Sequence, residues 1–248
     1  MAWRSHGDSN KGMVEALLKN RILTSQRAAS AMLAVDRGNF CRQNSSYYFD
    51  APMPIGYSAT ISAPHMHAQC LQLLEPHLFK GAKVLDVGSG SGYLLAVFSE
   101  MVCSTSENSS TFPPNPLVFG IEHIPELTEW SIDNLKKSPR TAVLLEQGVI
   151  NVSTGDGRLG KLESAPFDAI HVGAASPTTP QALINQLALG GRLLIPVGTG
   201  EQDLVAYDRD AVTGEIKKTI LFGVRYVPLT DRDSQIRDTQ VRSEHYLA

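Results

Sequence analysis

At 248 residues, 42% of them hydrophobic, the chain has material for one substantial core, and a single α/β domain is the expectation at this size. Its 22 Lys and Arg against 25 Asp and Glu leave a formal net charge of -3, with no basic block of the kind that tracks a phosphate backbone, so nucleic acid is set aside as a main partner. The segment MAWRSHGDSNKGM lacks the apolar centre of a signal peptide, and no uninterrupted apolar run is long enough to span a bilayer.

A cytoplasmic chain without a membrane partner is therefore expected. Cys41, Cys70 and Cys103 are widely scattered, which suggests buried, reduced thiols and not a disulfide framework or a zinc site.

Two amphipathic stretches, 12–19 and 25–35, place Met13, Leu17, Ala28 and Met32 at helical spacing, with Thr24 and Ser25 as candidate N-caps for the second. From 41 to 62 the chain is rich in Tyr, Pro, Ser and Gly, and the pattern predicts a long ordered loop. Pro64 suits the first turn of a helix, whose apolar face is Met66, Cys70, Leu73 and Leu74. Short apolar runs bounded by Gly, Asp or Pro then predict strands at 83–87, 117–121, 149–153, 167–172 and 192–197.

Helices are expected at 93–101, 125–137 and 180–189, the last with Thr179 as N-cap, Pro180 at its first position and Gly190 just past its end. This alternation describes a doubly wound, mostly parallel α/β sheet with helices on both faces and extra N-terminal helices. Two further β-like runs, 203–207 and 220–227, follow without a helix between them and predict an antiparallel C-terminal edge. The polar, Pro-bearing segment 104–116 reads as a surface loop.

The strongest local signal is Val84-Leu85-Asp86-Val87-Gly88-Ser89-Gly90-Ser91-Gly92, an apolar strand entering three alternating glycines and then a helix. Such a turn lets backbone approach a ligand at the carboxyl end of the first strand. The dinucleotide fingerprint would put its third glycine at 93, where Tyr93 stands. A pyrophosphate cradle is thus disfavoured, and an NAD-dependent dehydrogenase with it.

A nucleoside carrying positive charge suits the pattern better, with Asp86 as a compensating anion. Glu122 closes the second strand, where a carboxylate can accept both ribose hydroxyls, and His123 follows it. Asp156-Gly157 closes the third strand, placed for an adenine ring, and DAIHVGA from Asp168 to Ala174 opens a fourth on small residues. Together these strand ends point to a nucleoside cofactor, and S-adenosylmethionine, with adenosine and positive charge but no pyrophosphate, meets the pattern.

The block Ala59-Thr60-Ile61-Ser62-Ala63-Pro64-His65-Met66-His67, with LDVGSGSG, DAIHVGAA, GGRLLIPVG and YVPLTDRDSQ, closely resembles the protein L-isoaspartate (D-aspartate) O-methyltransferase family, Rossmann-like class I methyltransferases. The similarity runs to about Gln235, and the first block is its most discriminating part. The resemblance implies methylation of the α-carboxylate of isoaspartyl, and related D-aspartyl, residues in damaged proteins and peptides. The product ester then favours return through a succinimide, and S-adenosyl-L-homocysteine is the by-product.

By the same resemblance Ser62 matches the active-site serine, and Ala59, Thr60, Ile61 and His67 match a loop over the cofactor. Asp86, Gly88, Ser91, Glu122, His123, Asp156, Gly157, Thr230 and Gln235 match cofactor positions. The expected single domain, 1–248, comprises N-terminal helices and active-site loop (1–80), cofactor-binding core (81–200) and C-terminal strands and tail (201–248), and a monomer is expected. Segment 104–116 is longer than the family's usual connection, and the tail beyond Gln235 is unmatched and expected to be mobile.

An α-carboxyl with an unperturbed pKa of about 3.5 is ionised at neutral pH and needs no general base, which fits a site without an evident catalytic dyad. Ser62, a neutral donor, suits a reaction in which carboxylate and sulfonium charges vanish. His65 and His67 form an H-x-H pair, but no third ligand stands at metal-binding spacing. Tyr47, Tyr48 and Tyr57 are read either as peptide-groove walls or as packing beneath a loop. The alternatives carried are a class I methyltransferase for another carboxylate or small-molecule acceptor, and a non-catalytic cofactor-binding scaffold.

Overall fold

The computed structural model describes residues 5–42, 46–103 and 116–245. Two capped helices open the chain. In α1 (Asn10–Lys19) the Ser9 hydroxyl accepts from the Gly12 N–H, and in α2 (Gln26–Ala34) Ser25 does the same for Ala28. A short 3-10 turn, Arg37–Phe40, follows, capped by Asp36.

The predicted loop contains a hairpin of β1 (Met53–Gly56) and β2 (Ala59–Ile61). Its turn puts Tyr57 (φ 52°) and Ser58 (φ 55°) in the left-handed region, a rare conformation for side chains of that size. Helix α3 (Pro64–Leu74) starts directly after it, with Pro64 in its first turn.

Strand β3 (Val84–Val87) is buried at every position, as is almost all of α4 (Tyr93–Val102) behind it. Then come β4 (Val118–Glu122), α5 (Pro125–Lys136), α6 (Pro139–Glu146), β5 (Ile150–Thr154) and β6 (Phe167–Val172). The chain ends with α7 (Gln181–Asn185), β7 (Leu187–Val197), β8 (Gln202–Arg209), β9 (Ile216–Val224) and α8 (Arg232–His245). The seven strands β3–β9 form one sheet in the order β5-β4-β3-β6-β7-β8-β9.

Strands β3–β7 are parallel, and β8 and β9 add antiparallel at the edge, as the run without an intervening helix predicts. From β3 the chain moves outward to β4 and β5, then returns to the other side of β3 at β6. A crevice opens at the carboxyl ends where the order reverses.

Side chains alternate across the sheet. Leu85, Val87, Ile170, Val172, Leu193 and Ile195 share one apolar cluster. Val84, Ala169 and Leu194 point the other way, into the cluster that holds α2, α3 and α4.

Two expectations change. The helix predicted over 180–189 is cut to α7, because Leu187 pairs with Phe167 and draws the chain into β7; Gly190 lies inside that strand. Pro180 occupies the N-cap position, and the Thr179 hydroxyl instead meets the Tyr207 hydroxyl at 2.8 Å. The tail beyond Gln235 continues as helix α8 to His245. Helix α6 went unpredicted although Pro139 marks its first turn.

Apart from Pro116, segment 104–116 lies outside the described residues. Among the described residues no helix is long and apolar enough to cross a membrane. The three cysteines are separately buried with free thiols.

Candidate cofactor and acceptor sites

The glycine turn after β3 is built for close approach. Gly88, Gly90 and Gly92 have φ of 71°, 50° and 82°, and a Cβ on Gly88 would meet nothing within 4 Å. Left-handed backbone favours glycine, and the empty space above Gly88 leaves room for ligand atoms. Gly157, in the 3-10 turn that follows β5, is needed for another reason: a Cβ there would stand 2.5 Å from Val87 Cγ1.

Glu122 ends β4 almost fully buried. Its Oε2 accepts the Gly90 N–H at 3.1 Å and its Oε1 the Ile124 N–H at 3.1 Å. One carboxylate thereby ties the glycine turn to the start of α5 and keeps lone pairs for further donors. Burial pushes its pKa above the ordinary carboxylate range, against the pull of those N–H groups and of His123.

His123 Nε2 donates to Gln235 Oε1 at 2.8 Å, and Gln235 Nε2 donates to the Tyr57 carbonyl at 2.8 Å. Helix α8 is thus pinned across the crevice to both the end of β4 and the hairpin turn. The segment before α8 is seated by Ala175, whose N–H donates to the Val227 carbonyl and whose carbonyl accepts from Leu229.

These elements border a pocket whose empty space, counting the part open to solvent, is about 560 Å³. Ala59, Thr60 and Gly88 line it, as do Glu122, His123, Asp156, Gly157, Thr230 and Gln235. The sequence reading missed Ile55, Ile121, Val227 and Leu229 on its wall. Apolar wall residues carry no chemical signature, and the last two arrive only through the bridge to Ala175.

Thr60, Gly173 and Val227 are shared with a wider groove of about 2080 Å³. That groove is lined by Ser62, His65, Met66, Glu201, Arg225 and Tyr226, among others. Ser62 lines that groove and not the cavity over the glycine turn.

Four predicted positions do not line either space. Ile61 is core. The Ser91 hydroxyl accepts from the Tyr93 N–H at 3.4 Å. His67 is buried behind the wall, against Arg37 and Tyr93.

Asp86 is 2% exposed, and its Oδ1 meets His171 Nδ1 at 2.7 Å, in register across β3 and β6. Its carboxylate meets that histidine inside the fold and does not line the cavity. Burial pulls His171 down, but the bonds to Asp86 and Cys70 outweigh it and push its pKa up to about 10.

Asp156 lines the cavity, yet both its oxygens are held by Arg158, at 2.7 to 3.1 Å, which keeps the carboxyl below its usual range. His65 and His67 diverge: the first donates from Nδ1 to Asp50 Oδ1 at 2.6 Å, and the second faces Arg37. Tyr47 and Tyr48 pack against the core, and the Tyr48 hydroxyl donates to Asp36 at 2.9 Å. Tyr57 also packs there and supplies its carbonyl to Gln235.

A parallel sheet with its glycine turn at the switch point, acidic residues on the next two strand ends and an antiparallel C-terminal edge is the fold of a class I methyltransferase. A Plasmodium falciparum structure described as a protein-L-isoaspartate O-methyltransferase, in complex with S-adenosyl-L-homocysteine, matches with a TM-score of 0.78 and 32% identity, over 91% of this chain and 100% of that one. Protein-L-isoaspartate O-methyltransferase 1 of Arabidopsis thaliana is 51% identical over 93% of this chain and 95% of its own length. Its Caenorhabditis elegans counterpart is 48% identical over 95% and 98%. The family profile matches residues 8–234, and the chain belongs to the protein-L-isoaspartate (D-aspartate) O-methyltransferase family.

Proposed function

We propose that this chain moves the methyl group of S-adenosyl-L-methionine to the free α-carboxylate of L-isoaspartyl, and also D-aspartyl, residues in damaged proteins and peptides. The ester formed then favours return through a succinimide, so the net effect is repair. The observation that carries this reading is the shared wall: a cavity over the glycine turn opens past Thr60, Gly173 and Val227 into a groove that holds Ser62.

When bound, the cofactor supplies an electrophilic methyl group on a sulfonium sulfur. Gly88 leaves room for its amino-acid portion, and Glu122 offers its remaining lone pairs to the ribose hydroxyls. Asp156 and Gly157 would hold the adenine. Ala59, Thr60, His123, Thr230 and Gln235 close the cavity around it.

Because the acceptor carboxylate is ionised at neutral pH, the protein's task is to align it and exclude water. Ser62 holds it with a neutral donor, which avoids over-stabilising a charge that disappears during transfer. Alignment at near-attack distance is worth effective molarities of roughly 10⁵ M or more.

The net charge of -3 supports a protein acceptor over nucleic acid. We place the enzyme in the cytoplasm as a monomer without a membrane partner. The direct test supplies radiolabelled S-adenosylmethionine with one peptide in isoaspartyl and normal aspartyl forms. Label should enter the isoaspartyl form alone, and equal labelling would defeat the assignment.

A further inference from the structure

Asp156-Gly157 is the only Asp-Gly or Asn-Gly step in the sequence. Such a step is chemically weak. With no side chain on the glycine to shield it, the peptide nitrogen can attack the preceding side-chain carboxyl, expel water and close a five-membered succinimide. Water then reopens the ring, and addition at the main-chain carbonyl leaves a free α-carboxylate and a chain that runs through the side chain. The cofactor pocket thus carries on its own wall a step open to the damage the proposed activity repairs.

The fold holds this step in a form that does not close. Ring closure needs Cβ swung over the Gly157 nitrogen and a carboxyl oxygen released as water. The ψ of 104° at Asp156 turns its α-hydrogen, not its Cβ, toward that nitrogen. Rotation away from this angle breaks the bond from the Leu159 N–H to the Asp156 carbonyl, 3.0 Å, on which the 3-10 turn Gly157–Leu159 rests.

Arg158 holds the carboxylate itself. Its main-chain N–H and Nε donate to Oδ1 at 3.0 and 2.9 Å, and its Nε and Nη2 donate to Oδ2 at 3.1 and 2.7 Å, so both oxygens are fixed. The Arg158 side chain, against burial, keeps the carboxyl below its ordinary range, and an ionised carboxylate is not poised to lose water. Burial does not substitute for this clamp. The Asp156 side chain is 39% exposed and borders a second, more open pocket with Arg158, Asp231 and Asp233, so water reaches it.

We propose that Asp156-Gly157 is a latent isoaspartyl-forming site of this chain and that Arg158 is the residue that guards it. Isomerisation adds one methylene to the main chain beside buried Gly157, where even a Cβ would stand 2.5 Å from Val87 Cγ1, so the pocket wall cannot keep its shape. The isomerisation is independent of the functional reading above; the loss of cofactor that follows rests on it.

The test ages wild type, Arg158→Gln and Arg158→Lys, each first shown to be folded, for weeks at neutral pH without S-adenosylmethionine. Wild type unfolded in guanidinium chloride is aged beside them. Electron-transfer mass spectrometry of the fragment holding residue 156 separates the two isomers, which have equal mass. Arg158→Gln should accumulate isoaspartate there about tenfold faster than folded wild type, the worth of one hydrogen bond to a charged group, with Arg158→Lys between them. Unfolded wild type, which keeps the sequence and loses the clamp, should be fastest.

Folded Arg158→Gln no faster than folded wild type, or folded wild type as fast as unfolded, overturns the proposal. Calorimetry on the aged Arg158→Gln chain should show its capacity for S-adenosyl-L-homocysteine falling in step with isoaspartate at 156, and capacity that stays constant as isoaspartate accumulates removes the consequence drawn for the pocket. Fresh wild type that binds no S-adenosyl-L-homocysteine sinks the functional reading, while the ageing series still decides whether Arg158 guards the step.

Discussion

The buried pair of Asp86 and His171 makes stability depend on pH in a way a surface pair would not. His171 stands at about 10 in the fold against 6.5 in the unfolded chain. A raised cationic group contributes fully below its unfolded value and loses that contribution as pH climbs through the folded one. Worked through, this is just under about 5 kcal/mol near pH 6, about 3 kcal/mol at pH 7.5 and under about 1 kcal/mol at pH 9.5.

Asp86→Asn keeps the shape and removes the anion, so His171 reverts to a neutral ring. Reversible urea unfolding of both proteins should give a gap of about 3 kcal/mol at pH 7.5 that closes toward pH 9.5. Comparing the two curves cancels the other groups that titrate in this range. A gap that is absent at pH 7.5, or constant to pH 9.5, would refute a charged His171.

Ser62→Ala should cut turnover about tenfold or more while leaving S-adenosyl-L-homocysteine affinity within about twofold; unchanged turnover would remove Ser62 from acceptor alignment. Gly88→Ala should cost about 1 kcal/mol of stability from its left-handed backbone, yet lose more in cofactor affinity, since the new methyl fills the ligand's space. Calorimetry beside urea unfolding separates the two effects, and intact affinity would misplace the cavity. Because burial lifts Glu122, protonation on acidification should weaken S-adenosyl-L-homocysteine binding at a higher pH than an exposed glutamate allows. Glu122→Gln should bind weakly throughout and lose that pH response; a wild-type response retained in the variant would assign it to another group.

Much of the frame was legible in the residues alone. Short apolar runs bounded by turn or acidic residues mark β3 to β6 to within a residue or two, most plainly at β3 and β4, which are buried at every position. The glycine turn and the acidic ends at Glu122 and Asp156 read locally for the same reason: backbone conformation and strand-end position are properties of a few consecutive residues.

The tertiary structure alone decided what depends on residues far apart in the chain. Leu187 became strand because Phe167 offered it a partner, and α8 continued past Gln235, which is anchored to His123 and to Tyr57, 112 and 178 residues away. Nothing near Asp86 in the chain shows that its carboxylate meets His171, 85 residues on. A short sequence pattern records which groups are present and how the local chain bends; which charge faces which is set by packing, where the cost of a buried unpaired ion selects the partner.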